Sequence, residues 1–465
     1  MHRESVRRLA VPCALAVLAC VPGAVAGQDG GRLFPDPFPS TYQPFPSQAT
    51  VIRNATILTG TGQRIDGGSI VLQNGVIAAV GANVSVPAGA TVIDATGKWV
   101  TPGIIDTHSH LGNYASPGIE SQADGNELTD PNTAEVWAEH GVWPQDPGFG
   151  YALAGGITSL QILPGSGNLF GGRGVTLKNV PSRTVQGMKF PNAPQALKMA
   201  CGENPKRVYG QQNRFPASAM GNGAGYRTGW IKAQKYLREW QAWRAAGSPP
   251  GAIPDRDLQL ETLAAVLVGE VRVHNHCYRG DEMVNMINIA DEFGYSIASF
   301  HHAVEGYKVR DYLAARGICA SMWGSGNWGF KLEAYDGIEE NVGLVHDAGA
   351  CAIVHSDSPV EIQRLNQHSA VAMRAAREEG ISIPHEQAIR WITSNPALAM
   401  GIADRTGSLE TGKMADVVIW TGDPFSVYSH AENVFIDGAL IYDRNAPDPL
   451  VFGDFTLGME GEVGR

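Results

Sequence analysis

Residues 101–110 read TPGIIDTHSH, a short apolar run that ends in two histidines. Side chains on a β-strand alternate between its two faces, so His108 and His110, two positions apart, point to the same side. Imidazole is the commonest protein ligand of zinc-like ions. The run therefore predicts a strand with a candidate metal site at its carboxyl end, provided that the surrounding fold places this end in a pocket.

After residue 103, short apolar runs alternate with helical stretches, which is typical of βαβ units. Eight runs qualify as strands, the number that a closed parallel barrel requires. They are residues 103–107, 157–162, 175–177, 196–201, 271–276, 296–300, 317–321 and 350–354. We therefore predict an α/β fold whose main domain, residues 102–402, is a (β/α)8 TIM barrel. A long insertion at about 202–259, with a predicted helix at 229–246, is expected to shape the substrate pocket.

Short strands separated by turns precede and follow this barrel. Asn74-Gly75 is a typical hairpin turn, and residues 407–409, 415–420 and 433–438 return to the same strand pattern. We expect residues 50–101 and 403–465 to form one small β-sandwich domain from the N- and C-terminal segments. Residues 27–49, which are rich in proline and phenylalanine, are expected to be irregular.

The first 26 residues have the three parts of a secretory signal peptide. Three arginines precede an apolar run at 9–21, and Ala-Val-Ala at 24–26 offers a cleavage site. The apolar run is too short to span a bilayer. We expect a periplasmic or secreted protein without a membrane span; lipidation at Cys20 and a twin-arginine signal are weaker alternatives.

The composition of the 465-residue chain excludes some classes of function. With 43% hydrophobic and 17% charged residues it is a globular protein, and its length allows one large and one smaller domain. A net charge of −11 argues against non-specific nucleic-acid binding, which needs a basic surface. We expect a small-molecule substrate, no nucleic-acid partner, and the possibility of a homo-oligomer.

Four cysteines lie beyond the signal, each within or beside an apolar run: Cys201, Cys277, Cys319 and Cys351. Their pairing cannot be deduced from their spacing. We expect them to be small buried side chains rather than disulfides.

Residues 50–111 and 407–438 resemble the amidohydrolase superfamily, in its imidazolonepropionase-like and prolidase-like branch. The resemblance is carried by PGIIDTHSH at 102–110, GSLETGKMADVV at 407–418 and GDP at 422–424. It extends over about residues 50–445. It implies the barrel, the β-domain built from both segments, and a metal-dependent hydrolase.

The resemblance also implies further metal ligands at the ends of later strands. They are His276 after the fifth strand, His302 after the sixth and Asp357 after the eighth. His274 is an alternative to His276, and His301 points the other way along its strand, which favours a structural role. Asp357 is expected to be both a ligand and the catalytic group that takes a proton from the attacking water.

The fourth strand offers two candidate bridging ligands. Lys198 matches the position of a carboxylated lysine in related hydrolases, and Glu203 matches the carboxylate of deacetylase-type relatives. Strand alternation places Lys198 on the same face as the small residues Ala200 and Gly202, which favours it slightly. Glu203 lies beyond the strand, so both candidates stay open.

Together these ligands imply a centre with one or two Zn²⁺ ions and a metal-activated hydroxide. We expect hydrolysis of a C–N bond in an amide, cyclic amide or dipeptide-like substrate. A phosphotriesterase or lactonase on the same centre is the alternative, and a non-catalytic binding protein is a weaker one. Arg173, Tyr278 and Arg279 are the predicted substrate-binding residues, and Trp323 and Trp328 are candidates for an apolar wall.

Overall fold

The computed structural model describes residues 32–326 and 329–446. The predicted signal peptide, Trp328 and residues 447–465 lie outside this part of the chain. The strands within it are β1 (Thr50–Leu58), β2 (Arg64–Gln73), β3 (Val76–Gly81), β4 (Thr91–Asp94), β5 (Trp99–Pro102), β6 (Ile104–Ser109), β7 (Ile157–Ile162), β8 (Phe170–Lys178), β9 (Gln195–Ala200), β10 (Val271–Cys277), β11 (Ile297–His302), β12 (Cys319–Met322), β13 (Cys351–Val354), β14 (Val417–Trp420), β15 (Ala431–Ile436) and β16 (Ala439–Asp443).

The α-helices lie mainly between the barrel strands. They are α1 (Pro147–Ala154), α2 (Val185–Met188), α3 (Glu203–Gly210), α4 (Ala219–Ala245), α5 (Leu258–Leu267), α6 (Gly280–Phe293), α7 (Arg310–Arg316), α8 (Asn341–Asp347), α9 (Leu365–Glu378), α10 (His385–Ala388) and α11 (Ser394–Met400). Across residues 32–326 and 329–446, none of these helices has both the length and the apolar character needed to cross a bilayer.

Strands from both segments of the chain form one continuous sheet in the order β16-β15-β14-β5-β1-β2-β3, and β4 pairs with β1. Asn74 and Gly75 have φ values of 55° and 80° and connect β2 to β3. A two-residue turn with two positive φ values matches the twist of a hairpin, as the sequence predicts. The buried side chains of this composite sheet form one core, which includes Ile52, Ile57, Leu72, Val100, Val417 and Phe435.

Eight further strands form the barrel in the order β6 to β13, so the predicted α/β barrel is confirmed. One strand differs from the prediction, because β8 runs antiparallel to both β7 and β9. Only residues 163–169 connect β7 to β8, whereas a parallel neighbour needs a crossover of about a dozen residues or more. The expectation of eight parallel strands is therefore wrong at the third strand, which also starts earlier than predicted.

The barrel closes between β13 and β6 through contacts just beyond β13. The backbone N–H of Asp357 donates to the carbonyl of His108 at 3.0 Å. The carboxylate of Asp106 accepts from the backbone N–H groups of His108 at 3.0 Å and Ser356 at 3.3 Å, and from the Ser356 hydroxyl. These bonds bring the ends of the first and last barrel strands together.

A buried ion cluster joins the barrel to the composite sheet. The Lys178 ammonium, at the end of β8, donates to Asp416 at 3.0 and 3.1 Å and to Asp437 at 2.9 Å. Tyr42 donates to the other oxygen of Asp437, and Thr406 donates to Asp416 Oδ2 as a second donor beside Lys178. Because buried charges are stable only when they are paired and hydrogen-bonded, this cluster fixes the two parts against each other.

The four cysteines form two disulfides, Cys201–Cys277 and Cys319–Cys351. The expectation of unpaired buried cysteines is therefore wrong. Each disulfide joins neighbouring barrel strands, and the strand pairing brings Cys319 directly opposite Cys351. Only the register of the sheet, which cysteine spacing does not reveal, creates these pairs.

Candidate metal centre

Side chains with metal-ligating groups gather at one mouth of the barrel. His108 lies near the end of β6, His276 near the end of β10 and His302 at the end of β11, while His355 and Asp357 follow β13. The carboxyl ends of parallel barrel strands meet at one face, which is where barrel enzymes carry their active sites. The fold therefore brings residues from distant parts of the sequence to one place.

His108, His110 and Asp357 form the first group of potential ligands. The Nε2 atoms of the two histidines lie 3.3 Å apart, and Asp357 Oδ1 lies 3.5 Å from His108 Nε2 and 3.2 Å from His110 Nε2. One ligand atom from each residue lies within 4.8 Å of the others. The Nδ1 of His110 lies 2.8 Å from the carbonyl of Leu163, which leaves its Nε2 for the centre.

His302 and His355 form a second group together with His108. One ring nitrogen from each of the three lies within 4.8 Å of the others, and all three side chains are buried. Asp357 connects the two groups, since its other oxygen, Oδ2, lies 3.9 Å from His302 Nε2.

The structure distinguishes the two candidates on the fourth strand. Lys198 is fully buried, and its Nζ lies 3.3 Å from His108 Nε2 and donates to the Pro164 carbonyl at 3.0 Å. Burial lowers the pKa of Lys198 to about 8, against a weaker opposite effect of Asp357. Glu203 instead lies at the start of α3, where its carboxylate is 3.2 Å from Lys331 Nζ. The geometry therefore brings Lys198, but not Glu203, to the histidines.

His276 lies at the edge of this cluster. Its ring centroid is 4.6 Å from that of His302, and its Nε2 is 3.3 Å from the side-chain nitrogen of Asn204. The alternative, His274, lies deeper, with its Nδ1 2.8 Å from His301 Nε2. His301 Nδ1 in turn lies 3.0 Å from His108 Nδ1. His274 and His301 thus form a layer of imidazoles beneath the potential ligands.

Several ring nitrogens of the cluster have no hydrogen-bond partner among the residues that the structure describes. They are His276 Nδ1, His302 Nδ1 and both nitrogens of His355. Burial holds the pKa values of His276 and His302 well below the usual histidine range, so the rings are neutral. Neutral imidazoles with free nitrogens, beside a carboxylate, fit a divalent metal ion.

The carboxylate of Asp357 stays ionised in this setting. Burial raises its pKa, but the hydrogen bond and charge of His110, together with the charges of His355 and Lys198, outweigh this effect and lower the pKa overall. Asp357 and His302 also have positive φ values of 52° and 69°, which residues other than glycine rarely adopt. Such backbone strain is concentrated at functional sites, where the surrounding structure holds it in place.

The three predicted substrate-binding residues have different surroundings. Tyr278 is buried, and its ring centroid lies 4.5 Å from that of His276 and 5.4 Å from that of His302. Arg279 is exposed and forms two hydrogen bonds with Asp281, at 2.9 and 3.1 Å. Only Tyr278 therefore lies against the cluster, and the guanidinium of Arg279 already holds a carboxylate.

Arg173 does not face the pocket, contrary to the prediction. It pairs with Leu197, whereas its neighbour Gly172 pairs with Lys198, so Arg173 points to the outer side of the barrel. There it donates to Thr262 at 2.8 Å and to Gln195 at 2.6 Å. Its guanidinium attaches α5 to the barrel wall.

Aromatic rings from the loop after β12 cover the histidines. Trp323 stacks on His302 with ring centroids 4.3 Å apart, and Phe330 lies 6.1 Å from both Trp323 and Tyr278. Lys331 Nζ lies 4.3 Å from the centre of the Tyr278 ring and donates to Asn204. The entrance thus combines apolar rings with the ion pair of Lys331 and Glu203.

His355 belongs to this cluster, although the sequence motifs assign it no role. It lies two positions before Asp357, the same spacing that identifies His108 and His110, and this spacing was the signal available.

Comparisons with known proteins agree with this architecture. The sequence profile of the amidohydrolase family matches residues 273–442. Amidohydrolase tasK from Hapsidospora irregularis is 32% identical over 441 residues, which cover 86% of this chain and 44% of tasK. This chain therefore spans less than half of the length of tasK. The imidazolonepropionase of Mesorhizobium japonicum is 25% identical over 386 residues, covering 77% of this chain and 87% of that protein. The crystal structure of an amidohydrolase from Thermotoga maritima matches with a TM-score of 0.78 and 34% identity, covering 85% of this chain and all of that one.

Proposed function

The chain belongs to the amidohydrolase family, in its imidazolonepropionase-like and prolidase-like branch, and from this membership we propose that it uses a bound divalent metal to hydrolyse an amide or cyclic amide. At the level of the family it is a hydrolase of carbon–nitrogen bonds. Zinc as the metal and a dipeptide-like amide as the substrate are the finer parts of the proposal.

The observation that carries the proposal is the convergence on Asp357. Its Oδ1 lies 3.2 Å from His110 Nε2 and 3.5 Å from His108 Nε2, and its Oδ2 faces His302. Together with Lys198, His276 and His302, these side chains would hold the metal. When bound, a divalent ion lowers the pKa of water towards neutrality and polarises a carbonyl group.

The surrounding side chains would carry out the proton transfers and the orientation of the substrate. Asp357, ionised and half-buried, would accept a proton from the attacking water and return it to the leaving nitrogen. Burial raises the pKa of Tyr278, so its hydroxyl stays protonated. That hydroxyl is available as a hydrogen-bond donor to a substrate oxygen beside His302.

The entrance supports a substrate with both an apolar and an acidic part. Trp323 and Phe330 offer apolar surface beside Tyr278. Lys331 lies over the same ring and is 3.2 Å from the Glu203 carboxylate, so a substrate carboxylate would share this cation with Glu203. An N-acyl amino acid or a dipeptide has an apolar side chain, an amide bond and a carboxylate, and therefore fits this combination better than a neutral phosphotriester or lactone.

A substrate panel with and without a chelator tests the proposal. N-acyl amino acids, dipeptides and imidazolones should be hydrolysed only after a divalent metal is restored to the chelated protein. His108→Ala and Asp357→Asn should lose at least about 100-fold in turnover, whereas Asp281→Asn, an exposed carboxylate near the rim, should not. Full turnover by Asp357→Asn, or activity on phosphotriesters or lactones alone, would contradict the proposal.

We also propose that the protein is exported. The N-terminal pattern of residues 1–26 and the two disulfides support this, because disulfides persist mainly in oxidising compartments. N-terminal sequencing of the protein recovered outside the cytoplasm should begin after Ala26. Recovery of the uncleaved chain in the cytoplasm only, with reduced cysteines, would disprove export.

A further inference from the structure

His355 is buried, with 1% of its surface exposed, yet neither of its ring nitrogens has a hydrogen-bond partner among residues 32–326 and 329–446. A neutral imidazole has one N–H donor and one acceptor nitrogen. Leaving a buried polar group unpaired is unfavourable, and most such groups in proteins find a partner. The position therefore indicates a binding partner that the protein chain itself does not provide.

The location of His355 indicates what this partner is. Its ring centroid lies 5.1 Å from that of His108 and 5.0 Å from that of His302. One nitrogen from each of these three rings lies within 4.8 Å of the others. Ligand nitrogens around a tetrahedral zinc ion lie about 3.4 Å apart, given bonds of about 2.0–2.1 Å. Small side-chain movements would therefore bring the nitrogens of His302 and His355 to a common ion.

His108 cannot serve both groups of ligands through one nitrogen, because an imidazole nitrogen has a single lone pair. His108 Nε2 lies 3.3 Å from His110 Nε2 and 3.5 Å from Asp357 Oδ1, and we therefore assign it to the first group. The second group then retains His302 and His355, with Asp357 Oδ2 on the same side. This division gives each cation position its own histidines, and Asp357 lies between the two.

We infer that His355, to which the family resemblance assigns no role, is a metal ligand of this protein and lies with His302 on the Asp357 Oδ2 side of the centre. This inference rests on the proposed function only in requiring that the site binds metal. The competing explanation is a buried water molecule between His355 and Trp323, whose Nε1 also lacks a partner among the described residues.

Cobalt titration of the metal-free, full-length protein separates these explanations without measuring activity. Co²⁺ reports its ligands through its visible absorption, and competition with a chelator gives the affinity of each equivalent. The wild type should bind two equivalents. His355→Phe, which keeps a planar ring without nitrogen, should weaken one equivalent by more than about 100-fold, beyond the effect of losing an outer-shell partner. His355→Asp, which restores a ligand, should recover most of this loss.

His346→Phe is the matched control. His346 is a half-buried histidine that accepts a hydrogen bond from Trp391 at 3.2 Å, and it should bind cobalt as the wild type does. If His355→Phe does not fold, the smaller His355→Asn takes its place in the same titration. If the folded variant binds two equivalents of Co²⁺ with wild-type affinity and spectrum, the inferred role of His355 is wrong. The proposed function is not contradicted by that result. No cobalt binding by the wild type would overturn the proposed function as well.

Discussion

Cys201 and Cys277 form a disulfide between the carboxyl ends of β9 and β10, with their Cα atoms 5.2 Å apart. Lys198 lies three residues before the first cysteine, and His276 lies directly before the second. The bridge therefore fixes the separation of two strands that each carry a candidate ligand. The other disulfide, Cys319–Cys351, joins the first residues of β12 and β13, at the opposite end of the barrel.

This difference predicts different effects of removing the two disulfides. The Cys201→Ser/Cys277→Ser double variant should lose about 2–4 kcal/mol of unfolding free energy and should also bind metal more weakly, because the two strands can separate at the centre. Cys319→Ser/Cys351→Ser, the matched control, should lose stability alone. Denaturant unfolding and chelator competition measure the two quantities, and equal metal affinity in both variants would contradict the prediction.

The two fourth-strand candidates differ in what their removal should do. Lys198→Met should lower the metal content of the purified protein, because Lys198 contacts His108 Nε2 at the centre. Glu203→Gln should leave the metal content unchanged, since its carboxylate pairs with Lys331 at 3.2 Å and lies outside both ligand groups. Elemental analysis of the two variants measures this. The reverse pattern would favour Glu203 as the bridging ligand.

The buried cluster around Lys178 should contribute strongly to stability. Lys178→Met leaves Asp416 and Asp437 buried without their cation, and breaking such a buried pair costs about 3–5 kcal/mol. Lys98→Met provides a comparison in the same composite sheet, because the Lys98–Glu432 pair is partly exposed and should contribute at most about 1 kcal/mol. Chemical denaturation of both variants tests this, and similar losses would contradict it.

Glu282 should make stability depend on pH. Burial, and then the charge of Glu333, raise the pKa of Glu282 from 4.5 to about 7. The folded state therefore binds this proton more tightly than the unfolded state, so this group's contribution to stability falls as pH rises from about 4.5 to about 7. Glu282→Gln should remove this slope.

The measurement for Glu282 is the midpoint of thermal unfolding across that pH range, compared between the wild type and Glu282→Gln. Glu378→Gln, an exposed carboxylate paired with Arg374, serves as the control and should keep the wild-type pH dependence. Parallel pH profiles for the wild type and Glu282→Gln would show that Glu282 does not have a raised pKa.

Much of the architecture could be predicted because it follows from local patterns. The apolar run before His108 and the alternation of strands and helices predict the barrel, and Asn74-Gly75 predicts its hairpin. The common direction of His108 and His110 also follows from strand alternation, and their Nε2 atoms do lie together, 3.3 Å apart. These features depend on neighbours in the sequence.

Other features could not be predicted because they depend on the register between distant strands. β8 begins at Phe170, so Arg173 lies within a strand, and its register opposite Leu197 places it on the outer wall. The disulfides depend on the same kind of alignment, since Cys319 pairs with Cys351 only through the β12–β13 register. The position of His355 beside His302 likewise comes from the curvature of the whole barrel.

The composite sheet has a consequence for the order in which the molecule can be completed. The indole of Trp420 in β14 donates a hydrogen bond to Thr101 in β5, a partner 319 residues earlier. During synthesis the first five strands emerge long before the neighbour that will cover the edge of β5, and an uncovered edge invites pairing with other chains. Nascent chains that stall before residue 417 should therefore depend on chaperones, because β5 stays unpaired on one edge until β14 has been translated.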